Sequence, residues 1–282
     1  MYLYETHLHT SQGSACGVSA GREYVRAYRE LGYAGVFITD HFLHGNCAVD
    51  RTLPWEQIVR RFCEGYEDCK REGDRVGFAV FFGWEQNFEG DEYLVYGLDK
   101  DWLLAHPEMN AWSRREQFER VHAYGGAVVQ AHPFRDRGYI RKHTLSPLYC
   151  DAAEAYNAFN PLGENALCQR YCARFGLPMT AGSDIHSVGS VAENFVAGIA
   201  TDKPLRSAQD FAALLVSGRG FAPALPGLTD EPDTAALRAR ASAYLGSAPC
   251  ARPAKPVWRG LPNGRLEPDT LDWLAREAPL TK

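Results

Sequence analysis

GVFITDH (residues 35–41) begins as an apolar, β-branched run and ends on two ionisable side chains. Its first five residues suit a strand buried on both faces, as in a parallel sheet. Asp40 and His41 would be costly in such a place unless paired or metal-bound. The stretch therefore reads as a buried strand whose C-terminal end opens onto a polar site. The same pattern recurs along the chain. YLYET (2–6) leads into His7, GFAVFFGW (77–84) into Glu85, and GAVVQA (126–131) into His132. AAEAYN (152–157) ends on Asn157, and LPMTAG (177–182) runs towards Asp184. YLVYG (93–97) and FVAGIA (195–200) read as further strands.

Helical patterns separate these runs. AGREYVRAYREL (20–31) places Tyr24, Val25, Tyr28 and Leu31 on one face, with Ser19 as its expected cap and Gly32 as its stop. Pro54 is expected to start a helix with the stripe Ile58, Phe62, Tyr66 and Cys69. Further helices are expected over 113–123, over 163–175, and after a cap at Ser207. Alternating strands and helices predict parallel pairing in a barrel or a doubly wound sheet. An open sheet would leave the first and last strand ends far apart. A closed barrel gathers them around one mouth, on the face where barrel enzymes carry their chemistry. The expectation is an α/β fold, a distorted (β/α) barrel of seven strands over residues 1–221, with the polar cluster at the C-terminal face of the strands. Residues 222–282, rich in Pro, Ala and Gly, are expected to form a C-terminal extension, packed on the barrel or partly mobile.

The 282 residues carry a formal net charge of −5. That balance disfavours a long nucleic-acid track, although a mononucleotide or short oligonucleotide would escape the argument. The N-terminus MYLYETHLHT lacks the basic start and apolar core of a signal peptide, and no apolar run could span a bilayer. A cytoplasmic protein is expected, and its oligomeric state is not legible. The eight cysteines form no CxxC pair, which argues against a zinc ribbon. Cys168 and Cys172, one helical turn apart, read as ordinary helix residues in a reducing compartment.

His7 and His9 form an H-x-H pair, which a strand would point to one side. Alone the pair is a weak signal. Together with His41, Glu85, His132, Asp184 and His186 at other strand ends, it makes at least seven ionisable side chains around one mouth, a set suited to divalent metal. HLHT (7–10), ITDH (38–41), GWE (83–85), AHPF (131–134) and GSDIH (182–186), in this order, resemble the motifs of the PHP (polymerase and histidinol phosphatase) family over roughly residues 1–200. The resemblance implies a distorted (β/α)7 barrel with two or three divalent ions, here zinc, manganese or iron. It also implies one of the family's activities: histidinol-phosphate phosphatase, nucleotide or cyclic-phosphate hydrolase, or polymerase-associated nuclease.

Carried over by motif, His7 and His9 would hold one metal with Asp184 and Glu85. Glu85 would bridge to a second that also takes His132, and His41 and His186 would hold a third. The chain departs from the family pattern in two places. The loop TSQGSACG (10–17) lacks the His or Asp that many members carry, leaving Gln12, Ser14 and Cys16. Cys16 reads either as a thiolate ligand or as a plain loop cysteine. NFEGDEYLVYG (87–97) lacks a His after the bridging Glu, leaving Glu89, Asp91 and Glu92.

The expected activity is metal-dependent hydrolysis of a small phosphomonoester or cyclic phosphodiester by a metal-activated water. The alternatives are a PHP-type exonuclease acting on oligonucleotides and a non-catalytic metal-binding domain. Glu85 is the expected bridging and catalytic carboxylate. Arg135 is read as a catalytic and substrate-gripping guanidinium or as a loop salt bridge, and Asn157 in the same two ways. Pro133 is expected to hold His132 extended. His44, His106, His122 and His143 read as surface or hydrogen-bonding residues.

Overall fold

Strand β1 (Tyr2–Glu5) enters beside β2 (Gly35–Ile38), after the return helix α1 (Gly21–Glu30). These elements come from a computed structural model, which describes residues 1–138, 140, 143–191 and 197–224. After β2 come α2 (Trp55–Phe62), α3 (Glu64–Val76), β3 (Ala79–Phe88) and β4 (Asp91–Tyr96). Then follow α4 (Lys100–Ala105), α5 (Arg114–Ala123), β5 (Ala127–Ala131), β6 (Ala152–Asn157), α6 (Leu162–Phe175) and β7 (Met179–Gly182). The described chain ends with β8 (Gly198–Thr201), α7 (Ala208–Ser217) and β9 (Phe221–Ala224). The C-terminal extension expected over 222–282 lies, from residue 225 onward, outside the described residues.

The strands form one sheet in the order β7-β6-β5-β4-β3-β2-β1-β8-β9. β1 pairs with β2, β2 with β3, β5 with β6 and β6 with β7, all in parallel. The seven strands β1 to β7 curl into a nearly closed barrel. β8 pairs antiparallel with the edge of β1 from Tyr2 to Tyr4. Beyond β1, Leu8 bridges Ile185 in parallel, His9 N donates to Ile185 O at 2.9 Å, and Thr6 Oγ1 donates to Ala181 O at 2.7 Å. The segment after β7 thus meets the continuation of β1 and brings first and last strand ends together.

Uniformly parallel pairing fails at one place in the barrel. β4 runs antiparallel to both β3 and β5. β3 continues to Phe88, and only Glu89 and Gly90 separate it from β4. Both turn residues have positive φ, 57° and 105°, so the connection is a tight hairpin too short to hold a crossover helix. β8 and β9 continue the sheet antiparallel beyond β1.

Two local expectations also shift. Ser19 does not cap α1. Its hydroxyl accepts from Val188 N at 2.9 Å, and the helix start is held by Glu23 accepting from Ala20 N. The helix after Pro54 is two helices, α2 and α3, hinged at Cys63. Ser207 caps α7 as expected, accepting from Asp210 N. α7 closes the barrel end opposite the polar mouth. Phe211 packs its ring 4.9 Å from both Phe37 and Tyr96, within an apolar plug that includes Tyr4, Phe81 and Val129.

Candidate metal centre

Successive strand ends deliver the side chains of the mouth. His7 and His9 follow β1, their ring centres 5.0 Å apart. His41 lies past β2 and pairs with Glu85 of β3 in a parallel bridge. His132 follows β5, and Asp184 and His186 follow β7. All seven residues named from the motifs converge here. His7, His9, Glu85 and Asp184 are essentially inaccessible to solvent.

Glu85 is the hub. Its Oε1 lies 3.1 Å from His132 Nε2 and 3.3 Å from His7 Nε2, and its Oε2 lies 2.7 Å from His41 Nδ1 and 3.6 Å from His9 Nε2. The two oxygens therefore face different pairs of histidines, the disposition of a carboxylate shared between two ions. Asp184 Oδ1 lies 3.0 Å from His9 Nε2 and 3.5 Å from His7 Nε2. Burial disfavours the Glu85 charge, but His41 and His7 overcome it and hold the carboxyl well below its usual range. Asp184 is likewise held low against burial by Arg135 and His7. Burial, with His41 and His186 nearby, pushes His9 well below its ordinary value and keeps it a neutral imidazole.

Behind these groups sits a set of orienting partners. His7 Nδ1 meets Glu154 Oε1 at 2.9 Å, which turns Nε2 towards the mouth. Glu154 Oε2 accepts from His132 N at 3.1 Å and from Asn157 Nδ2 at 2.9 Å. His9 Nδ1 meets Ser14 Oγ at 3.0 Å, and Ser14 in turn donates to Asp40 Oδ1 at 2.7 Å. A hydrogen bond from the second ring nitrogen is what fixes an imidazole for ligation. Gly182 makes room for this arrangement, because a Cβ there would lie 2.5 Å from the His7 Cβ and 2.7 Å from Glu154 Oε1.

The backbone is unusual at two of the residues. His132 has φ of 26° and Asp184 φ of 56°, a region L-residues rarely occupy. The extended geometry expected from Pro133 is thus overridden. His132 N is tied to Glu154, its ring to Glu85, and its carbonyl accepts from Arg135 N at 2.9 Å, which together impose the turn. Such conformations persist where surrounding contacts over-determine them.

Four atoms test whether metal fits. His7 Nε2, His9 Nε2, His41 Nδ1 and Glu85 Oε2 are buried and make no hydrogen bond of proper geometry. Orphaned buried polar atoms are rare and costly. Divalent ions in the mouth would take up these donors between them, since imidazole nitrogen and carboxylate oxygen are the donors of zinc, manganese and iron sites. Four overlapping groups have ligand atoms within 4.8 Å of one another: His7/Glu85/His132, His7/His9/Asp184, His41/Glu85/Glu92 and His9/His41/His186.

Of the acidic residues after Glu85, Glu92 reaches the cluster, with its oxygens 3.5 Å from His41 Nδ1 and from His132 Nε2. Asp91 instead pairs with Arg114 at 2.9 Å, and Glu89 forms the hairpin. Arg135 is mostly buried and is engaged by Asp184, by Asn160 Oδ1 at 2.9 Å and by Asn157 Oδ1 at 3.4 Å. Asn157 is fully buried behind Asp184, its Nδ2 3.3 Å from Asp184 Oδ2. His44, His106, His122 and His143 lie off the cluster, each hydrogen-bonded to a backbone carbonyl or, for His122, to Asp151. Glu154 was missed from sequence, though a lone Glu inside the apolar run AAEAYN was a usable signal.

The fold and site define a barrel with a candidate multi-metal mouth at its strand ends. Comparison agrees. Residues 163–219 match the family described as PHP-associated. A two-domain protein of Bacteroides vulgatus containing a predicted PHP-like metal-dependent phosphoesterase superposes with a TM-score of 0.55 at 13% identity, over 79% of this chain and 64% of that one. PsfC from Pseudomonas syringae superposes with a TM-score of 0.50 at 17% identity, over 87% of this chain and 98% of that one. No curated protein matches the sequence. The chain is thus similar, over this segment and in its fold, to PHP-type proteins.

Proposed function

We propose that the protein hydrolyses a small phosphate ester, a phosphomonoester or a cyclic phosphodiester, in a metal-dependent reaction. The observation that carries this reading is the set of orphaned buried donors, His7 Nε2, His9 Nε2, His41 Nδ1 and Glu85 Oε2, aimed into one mouth. Two or three divalent ions (zinc, manganese or iron) held by His7, His9, His41, Glu85, His132, Asp184 and His186 would supply Lewis-acid stabilisation of the phosphoryl oxygens and acidify a water.

The chain's own residues do the positioning. Glu85 presents one oxygen to each half of the mouth, Glu154 and Ser14 fix the faces of His7 and His9, and Arg135 holds the outer oxygen of Asp184. Arg135 also adds fixed positive charge beside an anionic substrate, which favours a phosphate over a neutral ester. The net charge of −5 supports a small phosphorylated substrate, a mononucleotide or short oligonucleotide included, over a long polynucleotide. Among the described residues no helix is long and apolar enough to cross a membrane.

The test is a panel of phosphomonoesters, cyclic phosphates and short oligonucleotides, assayed with manganese, with zinc and with chelator. Metal-dependent turnover of the small esters supports the reading. Turnover of oligonucleotides alone would move the assignment to a nuclease, and full activity in chelator would end it.

A further inference from the structure

β1 and β7 must meet for the barrel to close, yet among the described residues no ladder joins them. Single contacts close the seam instead, and at the level of the mouth they meet a difficulty. His7 N and Ser183 N, one from each side, are both donors, and one backbone donor cannot satisfy another. Glu5 Oε1 resolves it, accepting from His7 N at 2.8 Å and from Ser183 N at 3.0 Å. The second oxygen, Oε2, accepts from the Tyr28 hydroxyl of α1 at 3.0 Å, and Tyr28 Oη lies 3.2 Å from Ser183 Oγ. Glu5, Tyr28 and Ser183 are all buried. Glu5 stands outside the four groups of ligand atoms in the mouth, so its buried carboxyl has no part in holding an ion directly.

We propose that Glu5 is a positioning residue: its Oε1 acts as a rung across the seam and sets His7 and Asp184 at the spacing at which they share an ion. The inference rests on the reading of the cluster as a metal site. His7 is one of the two residues that Oε1 holds, and Asp184 directly follows the other. Their side chains face each other, with His7 Nε2 3.5 Å from Asp184 Oδ1, and with His9 they form one ligand group. Asp184 has a φ of 56°, so the hydrogen bond at Ser183 N fixes the chain just before it turns out of strand conformation. The neighbouring seam contact, from Thr6 Oγ1 to Ala181 O at 2.7 Å, joins the same two segments further from Asp184. What the two N–H groups require is an acceptor oxygen at one point, which a carboxylate and a carboxamide of the same length both provide.

The experiment is zinc binding to the full chain, measured by competition with a chromophoric chelator, beside the Tm of the metal-free protein. The variants are Glu5→Asp, Glu5→Gln and Thr6→Val. Aspartate keeps the charge but, one methylene shorter, does not reach both nitrogens. Its zinc Kd should rise by about 10–100-fold, the range for losing a partner that orients metal ligands. Glutamine keeps an oxygen between the two nitrogens and turns its NH2 to Tyr28 Oη, whose hydroxyl then donates to Ser183 Oγ. Its zinc Kd should stay within about threefold of the parent's, well short of that range. Thr6→Val breaks the seam without touching His7 N or Ser183 N, so its Tm should fall by several degrees with zinc Kd unchanged. A parent-like Kd in Glu5→Asp shows that no rung is needed and overturns the proposal. A Kd raised as far in Glu5→Gln as in Glu5→Asp makes charge the cause and also overturns it; a weakened Glu5→Gln does so even where Glu5→Asp fails to fold. Thr6→Val binding zinc as weakly as Glu5→Asp would assign the effect to barrel closure at large, against Glu5 in particular. Each of these results leaves the metal-dependent reading standing. A parent that binds no zinc would end that reading and the proposal together.

Discussion

Changing Glu154 to Gln tests whether the orienting partners behind the mouth are functional. Glu154 serves three groups at once. Oε1 faces His7 Nδ1 at 2.9 Å, and Oε2 accepts from His132 N at 3.1 Å and from Asn157 Nδ2 at 2.9 Å. Glutamine keeps the shape but has one acceptor oxygen. If its NH2 faces His132 N and Asn157 Nδ2, donors meet donors. If it faces His7, the ring must accept at Nδ1 and carry its proton on Nε2, the atom aimed at the mouth. The first orientation leaves the two buried donors His132 N and Asn157 Nδ2 unsatisfied, at a cost of about 1–3 kcal/mol each. The second orientation removes a ligand, and loss of such orienting partners typically weakens metal binding by about 10–100-fold, or roughly 1.4–2.7 kcal/mol. The expected result is a rise in metal Kd of that size, measured by competition with a chromophoric chelator. A lower Tm of the metal-free protein should accompany it. A variant whose metal Kd stays within about twofold of the parent would show that His7 needs no such partner, and the argument from Glu154 would fail.

Three other substitutions probe the same site. Glu85→Gln removes a charge that faces four histidines while keeping the shape, so activity should fall by about a hundredfold or more with the fold intact by circular dichroism; parent-like turnover would mean that Glu85 is no bridge. Arg135→Lys keeps a charge but cannot reach Asp184, Asn157 and Asn160 together, so kcat/KM should fall by about tenfold, with a parallel weakening of metal binding because Asp184 loses its clamp; an unchanged kcat/KM refutes the role. Gly182→Ala places a methyl against His7 and Glu154 and should cost about 1–3 kcal/mol, seen as a Tm lower by several degrees; a Tm equal to the parent's would show that the strand end yields freely.

Why some of this was legible in the sequence and some was not follows from what each signal encodes. A buried run that stops at an ionisable residue reports its own burial, so GVFITDH and its counterparts placed the strand ends and the seven converging side chains. Strand direction is not encoded that way. YLVYG reads the same up or down, and the evidence for reversal lay in the connector. Because β3 was read as ending at Trp84, the link to the next strand looked about eight residues long. It is two residues, Glu89 and Gly90, since Gln86 to Phe88 continue the ladder against β4. Ser19 failed as a cap because a tertiary partner, Val188 N, claimed its hydroxyl. Arg135 and Asn157 were placed near the mouth, but sequence could not show that Asp184 occupies them both.

The two ends of the barrel divide the work of folding and chemistry. At the mouth, buried carboxylates and imidazoles lie together, two residues sit at positive φ, and several donors lack partners. Each of these features is destabilising without a ligand. The opposite end is lined by apolar side chains instead. Tyr4, Phe37, Phe81, Tyr96 and Val129 close around Phe211 and Leu215 of α7 in an aromatic plug. Burying side chains of this size contributes about 1.5–3 kcal/mol each, enough to offset strain at the other end of the same strands. Because β2, β3, β4 and β5 pass from plug to mouth without interruption, the positions of His41, Glu85, Glu92 and His132 are set by the apolar packing beneath them. The mouth can therefore stay arranged for ions, even though its own interactions would not assemble it.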